Sequence, residues 1–248
     1  MCLVAFAWQV DPHFPIVLAA NRDEFFAREA QAAHFWKDHP DVFGGRDLSA
    51  GGTWLALHAA GKISLITNYR APGAISPQSR GQLVLRALYW DQTPTSLFQD
   101  YGYFNLIEGT LQTMRYYNHP TNRFQVLRPG IYTLSNAELN TPWPKSVWLE
   151  SRFKELIELG VRSPEPFLEL MNYREPIDDT QLPDTGVGLE WERLLAPVFV
   201  QSAHYGTRAS TFVRIDKGGN VLFHEQSWDQ HGSPAKTVRE QFSFHPIS

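Results

Sequence analysis

The sequence has a single cysteine among 248 residues. That excludes an internal disulfide and any zinc site built on paired cysteines. It has no run of lysine or arginine, only 22 cationic residues against 26 acidic ones, for a formal net charge of −4. A nucleic-acid surface needs clustered cations to displace counterions, so a nucleic-acid partner is not expected. No apolar stretch approaches the ~20 residues that span a bilayer, so no membrane span is expected. Leu3 to Trp8 is apolar but lacks the basic flank and cleavage site of a signal peptide. The expected location is cytoplasmic. Also missing are a His-Glu-x-x-His helix, a Gly-x-Ser-x-Gly elbow and a Cys-x-x-Cys-His haem attachment. His34 and His39 lie near Asp38 and Asp41 without a metal-ligand spacing, and the expectation is no metal and no cofactor.

What is present is the make-up of a globular protein: 43% hydrophobic and 19% charged residues, long enough to bury a full core. Aromatic residues reach 13%, with eight Trp, which suits a core or an apolar cleft. With no repeat, low-complexity tract or linker, residues 1–248 read as one domain.

Leu3 to Trp8 and Ile16 to Ala20 are apolar on both parities, the pattern of strands covered on two sides. Between them, Val10 to Pro15 is a turn by composition. Thr53 to His58 and Lys62 to Thr67 flank Ala59-Ala60-Gly61 as a second hairpin. Ser79 to Trp90 has Leu83, Val84, Ala87 and Leu88 at helical spacing, with Ser79 as N-cap. Pro94 to Tyr101 reads as a second short helix. Strands are predicted over 104–107, 111–117, 124–127 and 131–134, then helices over 147–159 and 164–171. Glu175 to Gly188, rich in Pro, Asp and Gly, reads as an exposed loop or lid. Strands at 207–215, 221–225 and 238–244 close the chain. The order strands, helices, strands predicts an α+β fold with mostly antiparallel sheets.

Hairpin geometry places the candidate chemistry. A turn centred near Pro12 or His13 sets Cys2 opposite residues 22 to 23, beside Asn21-Arg22-Asp23-Glu24. A turn centred near Ala60 sets Asn68 opposite Gly52. Arg208 falls at the far end of a third hairpin from its Gly218-Gly219 turn. Polar residues thus gather at the open ends of apolar strands. Taken singly, each has a plainer reading: a lone cysteine is an inert small hydrophobe, Asn68 and Asn136 are turn residues, and Arg208 is a surface cation. Gly44-Gly45 and Gly51-Gly52 fit no dinucleotide or phosphate-loop spacing. They read as turns or as places where a ligand approaches the backbone. The position of Cys2 directly after Met1 changes its reading. Once Met1 is removed, Cys2 carries a thiol nucleophile and an α-amine base of pKa ~7.7–8.0 on one residue.

The motifs Met1-Cys2, Asn21-Arg22-Asp23-Glu24-Phe25, Gly44-Gly45-Arg46-Asp47, Gly51-Gly52-Thr53-Trp54, Thr67-Asn68-Tyr69-Arg70 and Ser79-Arg80-Gly81 occur in that order. Leu134-Ser135-Asn136 and Tyr205-Gly206-Thr207-Arg208 follow. Together they resemble the NRDE family, which includes the transport and Golgi organisation protein 2 of animals, from residue 1 to about 227. The resemblance implies an N-terminal-nucleophile (Ntn) hydrolase fold, a four-layer αββα sandwich. It also implies kinship with choloylglycine hydrolases and penicillin V acylases. Carried over by motif, Cys2 is the nucleophile, Asp23 orients its α-amine, Asn68 and Asn136 match the two asparagines, and Arg208 matches the late arginine. The early arginine of those enzymes has no match, since Ala20 stands there; Arg22 is the nearest candidate. Arg22, Trp54, Tyr69 and Arg70 are expected to bind substrate, and Asn136 with a backbone N–H to hold an oxyanion. The implied activity is hydrolysis of the amide bond of a small acyl or apolar substrate through a thioester. The alternative is a binding or trafficking protein for an apolar ligand, such as haem or an acyl lipid, on a hydrolase scaffold.

Overall fold

A computed structural model describes residues 2–71 and 78–245. The first two strands, β1 (Cys2–Trp8) and β2 (Ile16–Phe25), are buried along nearly their whole length. Their two faces serve different layers. Val4, Phe6, Trp8, Ile16, Leu18 and Ala20 join the core between two sheets. Leu3, Ala5, Ala7, Val17 and Ala19 join a core under helices. This is why neither strand alternates in polarity.

The remaining strands are β3 (Ala30–Phe35), β4 (Val42–Asp47), β5 (Leu55–His58), β6 (Lys62–Asn68), β7 (Phe104–Gly109), β8 (Met114–Asn118), β9 (Arg123–Val126) and β10 (Gly130–Leu134). After the helices come β11 (Tyr205–Ile215), β12 (Asn220–Trp228) and β13 (Pro234–Ser243). One sheet runs β10-β1-β2-β11-β12-β13 and the other β3 to β9 in chain order. The pairs within both are antiparallel.

Helix α1 (Gly81–Tyr89) lays Leu83, Val84, Ala87 and Leu88 on the outer face of the second sheet. Helices α2 (Pro144–Glu158) and α3 (Pro164–Met171) cover the first sheet with Leu149, Phe153, Ile157, Phe167 and Met171. A short α4 (Leu189–Leu195) follows the 175–188 loop. The layers are therefore helix, sheet, sheet, helix, as the resemblance implies.

Three elements and one helix cap differ from the sequence reading. β3, β4 and α4 were not predicted, because Ala-rich and Gly-Gly strands and a seven-residue helix give little periodicity. Pro94 to Tyr101 contains a 3-10 helix at Thr95–Asp100. Ser79 is not the N-cap of α1: Arg80 holds that place, without a side-chain cap bond. Here the helix start is fixed by backbone packing, since Thr53 N–H donates to Gly81 O at 3.1 Å.

Glu225 ties the two sheets together from the inside. It sits on β12, and its Oε1 accepts the N–H of Ala33 on β3 at 2.8 Å, within a break in the β3–β4 register. Its Oε2 accepts from Thr211 Oγ1 at 3.3 Å. Burial raises its pKa above the ordinary 4.5. A carboxyl raised in this way favours the folded state most at low pH, and that contribution is lost as pH rises from the unfolded value through the folded one. Glu225→Gln keeps the shape without the charge. Its melting temperature should match the parent near about pH 5 and exceed it near about pH 8. Glu225→Ala leaves the Ala33 N–H unpaired and should lose ~1–3 kcal/mol at both pH values. Equal pH profiles for Glu225→Gln and the parent would contradict this account.

Candidate active site between the sheet ends

The two sheets part at one end, and a cavity of about 330 Å³ opens there. Cys2, Arg22, Asp23 and Glu24 line it from the first sheet, and Thr53, Trp54, Ile66 and Asn68 from the second. Arg28, Asp47, Ser79, Arg80 and Gly81 add to the rim. The expected register holds, for Cys2 pairs directly with Arg22. The β5–β6 ladder continues past its last formal pair, with Ile66 N–H donating to Trp54 O, so Thr53 and Asn68 share one end of that sheet.

The glycine pairs serve side-chain and backbone packing. A Cβ on Gly45 would land inside the Trp54 ring, so glycine there opens the slot that the indole fills. The Arg22 guanidinium lies over that ring, 4.4 Å from its centroid. Gly52 and Gly81 touch backbone to backbone, with no room for a Cβ on Gly52. Asp47 holds the intervening loop: its N–H donates to Gly52 O, its carbonyl accepts from Gly51 N–H, and its carboxylate takes Arg28 at 2.6 Å.

Asp23 is buried on the first sheet, where Thr207 Oγ1 donates to its Oδ1 at 2.8 Å. Burial raises its pKa, opposed in part by the cationic Lys145, the Thr207 hydrogen bond and Arg22. Tyr205 Oη donates to the Asp23 carbonyl, fixing the strand beneath. Burial pushes the Cys2 thiol up to about 11; Asp23 and Glu24 push the same way and Arg22 the other. The thiol in this structure is therefore neutral at physiological pH. Its cationic neighbour does not offset the loss of water.

Of the nine residues picked out from sequence, five stand on this cavity: Cys2, Arg22, Asp23, Trp54 and Asn68. Four are engaged elsewhere. Asn136 lies behind Asn68, donating from Nδ2 to the Asn68 carbonyl at 2.9 Å, so it props the strand end. Arg208 is the extra residue of a bulge in the β2–β11 pairing. Its Nη1 donates to the carbonyls of Phe25, Phe26 and Arg28, which places its charge on the turn after β2. Tyr69 is bound through its N–H to Tyr103 O. Arg70 turns into a separate chamber with Glu192.

Glu24, Arg28, Asp47 and Arg80 were not chosen from sequence as site residues, although each lies inside or beside a quoted motif. The expectation of an aromatic, apolar cleft also changes. Trp36 is buried and donates to Gly44 O, and Phe35 packs on Phe43 and Phe242. Trp54 alone of the aromatics named from sequence reaches the wall, which carries six charged side chains. A wholly apolar ligand would strip water from those charges without replacing it.

Among the described residues, no group of three His, Cys, Asp or Glu is placed to hold a metal ion. No helix among them is long and apolar enough to cross a membrane.

Known proteins share this sequence over most of its length. The chain is 36% identical over 257 residues to the Transport and Golgi organization protein 2 homolog of Bos taurus, covering 92% of this chain and 93% of that one. It is 34% identical over 263 residues to the Homo sapiens homolog, with the same two coverages. Among solved structures, a Caenorhabditis elegans N-acylethanolamine-hydrolyzing acid amidase ortholog overlays with a TM-score of 0.46 and 12% identity. That overlay covers 85% of this chain and 92% of that one, a likeness too loose to bear on the site. The family profile of Transport and Golgi organisation 2 matches residues 1–230, and with the identities above this places the chain in the Transport and Golgi organisation 2 family.

Proposed function

We propose that the protein is an N-terminal-cysteine amidohydrolase that cleaves a small, polar amide through a thioester. One observation carries the reading: Cys2, which follows Met1 directly, stands in the wall of a charged cavity with Asp23 beside it and Asn68 across it. A cysteine serving only the core would have no reason to sit at a cavity wall lined by charges.

Met1 lies outside the described residues, and its removal is part of the proposal. The freed α-amine of Cys2 takes the thiol proton as sulfur bonds to the amide carbon. The carbonyl electron pair moves to oxygen, and the Asn68 amide, in the same cavity wall, is the side-chain donor assigned to that oxyanion. Collapse breaks the C–N bond, and the protonated amine gives its proton to the departing nitrogen. Water, deprotonated by the same amine, then splits the thioester into acid and free thiol. A neutral resting thiol suits this sequence, because the proton moves during attack. Buried Asp23 has the place to orient the amine. Asn136 acts at one remove, by fixing the Asn68 backbone.

The base exists only in the processed chain. With Met1 retained behind an uncleavable tag, iodoacetamide should label Cys2 slowly and faster only as pH approaches about 11. With Met1 removed, labelling should accelerate through the range of the α-amine, ~7.7–8.0. Intact mass after a timed pulse measures both forms. Equal rates, or native protein that keeps Met1, would end the mechanism.

Turnover is tested with a panel of aminomethylcoumarin amides that carry small polar acyl groups. Cys2→Ser should abolish measurable release with little change in melting temperature, because a hydroxyl is close in size but far less ionised. Asn68→Ala should lower turnover ~10²–10³-fold, the usual loss for one oxyanion donor. Release unchanged in Cys2→Ser would remove the cysteine from the chemistry.

A further inference from the structure

Lys145 is a buried cation to which the amide chemistry above gives no part. It stands in the first turn of α2, only 5% exposed, and its Nζ donates to Leu195 O at 2.7 Å. Burial pulls the ammonium below its ordinary range, to about 8. Apart from Arg70 and Glu192, the side chains that share its chamber are apolar. A methionine would fill the same space without the cost of a buried charge.

The cation has Asp23 for a neighbour. Side chains of β2 alternate, and Val17, Ala19 and Asn21 face the helices. Asp23 continues that row, so its carboxylate turns toward the layer to which α2 belongs. Thr207 Oγ1 donates to Asp23 and accepts the N–H of Val200. Val200, Leu195 and Tyr205 form one small apolar cluster, and Tyr205 Oη donates to the Asp23 carbonyl. The residue whose carbonyl holds Lys145 Nζ therefore belongs to the cluster that packs around Asp23.

The charges near the pair agree with this placement. Of those that favour the Lys145 ammonium, Asp23 comes first and Glu192 after it, while Arg70 opposes it. Glu192 is already taken by Arg70 at 2.6 Å and by the N–H and hydroxyl of Thr185. Lys145 in turn favours the Asp23 carboxylate ahead of Arg22, which lies over Trp54 on the cavity side. The other titratable groups beside Asp23 are the Cys2 thiol and the Tyr205 hydroxyl. Burial raises the pKa of both, which keeps them neutral.

The proposed cycle passes through a state in which a cation behind Asp23 matters. While the Cys2 α-amine is protonated, it is itself a cation beside Asp23. Once the amine is free to act as base, Asp23 must keep its charge without it. A buried carboxylate with too little positive charge around it would hold the proton on the amine and block the base.

We propose that Lys145 is a positioning residue of the active site, a buried counter-cation behind Asp23 that sustains the carboxylate while the Cys2 amine is unprotonated. It rests on the amidohydrolase reading and acts through Asp23, since Lys145 does not line the Cys2 cavity.

The test uses full-length protein freed of Met1, with the pH profile of Cys2 labelling by iodoacetamide as readout. In the parent the rate should climb through the α-amine range, ~7.7–8.0. Lys145→Met and Lys145→Gln both remove the cation. The glutamine keeps a donor for Leu195 O and serves if the methionine variant does not fold. Either should move the climb upward by about one pH unit, a tenfold change in proton affinity. In an Asp23→Asn background the same substitution should move it far less. Melting temperatures read the pair without the amine. The double variant Lys145→Met/Asp23→Asn should melt about 2–4 °C or more above the value to which the two single shifts add. The inference is overturned if both Lys145 variants keep the parent's profile, if the shift is as large without the Asp23 carboxylate, or if the melting shifts simply add. A parent whose labelling ignores the removal of Met1 would instead end the amidohydrolase reading, and this role with it.

Discussion

The Arg22 guanidinium lying on the Trp54 ring joins the two sheets at the end where they part. Arg22 comes from the first sheet and Trp54 from the end of an inner strand of the second, so this contact bridges the cleft between them. It depends on two small residues. Gly45 leaves the space that the indole occupies, and the Cys2–Arg22 pairing brings the guanidinium to the right height. A cation on an aromatic face tolerates burial better than a bare charge does. The polar end can therefore be partly dry without collapsing.

From that contact the remaining charges sort into pairs. Arg28 goes to Asp47, which holds the loop carrying Thr53 and Trp54. Arg208 goes to three carbonyls of the turn after β2. Arg70 goes to Glu192 in the neighbouring chamber. Arg208 and Arg70 could have faced the cavity and are turned away from it, while Arg28 stays on its rim. Cys2, Asp23 and Asn68 remain in the wall, held by groups that stand behind them. Of these, Thr207 binds the Asp23 carboxylate and Asn136 the Asn68 carbonyl.

Two cavities lie at the polar end. The larger one is open and carries both signs of charge. The smaller one is closed, with Arg70, Glu192 and Lys145 on an otherwise apolar wall. Strand β6 and its continuation connect them, since Asn68 faces one and Arg70, two residues on, lines the other. Any movement of the backbone between them would be felt in both places. The hydrogen bonds from Arg70 N–H to Asn136 O and from Asn136 Nδ2 to Asn68 O resist such movement.

The sequence patterns alone determined that the first strands are covered on both faces and where Cys2 lies, while the four-layer order came with the family resemblance. Strands apolar on both parities need cover on two sides, and hairpin turns set which residues face each other. That was enough to put Cys2 opposite residues 22 to 23 and Asn68 opposite Gly52. The sequence motifs also carried the family membership. Tertiary structure decided where the long side chains go. Arg70 and Arg208 have several rotatable bonds and a charge that must find a partner, and those partners, Glu192 and the carbonyls of residues 25, 26 and 28, are distant in sequence. A register argument locates a Cα, while the direction of a guanidinium is settled by whichever buried acceptor lies within its reach. The same limit hid Glu225 and its bond to Ala33, because a contact between two sheets leaves no period in either strand.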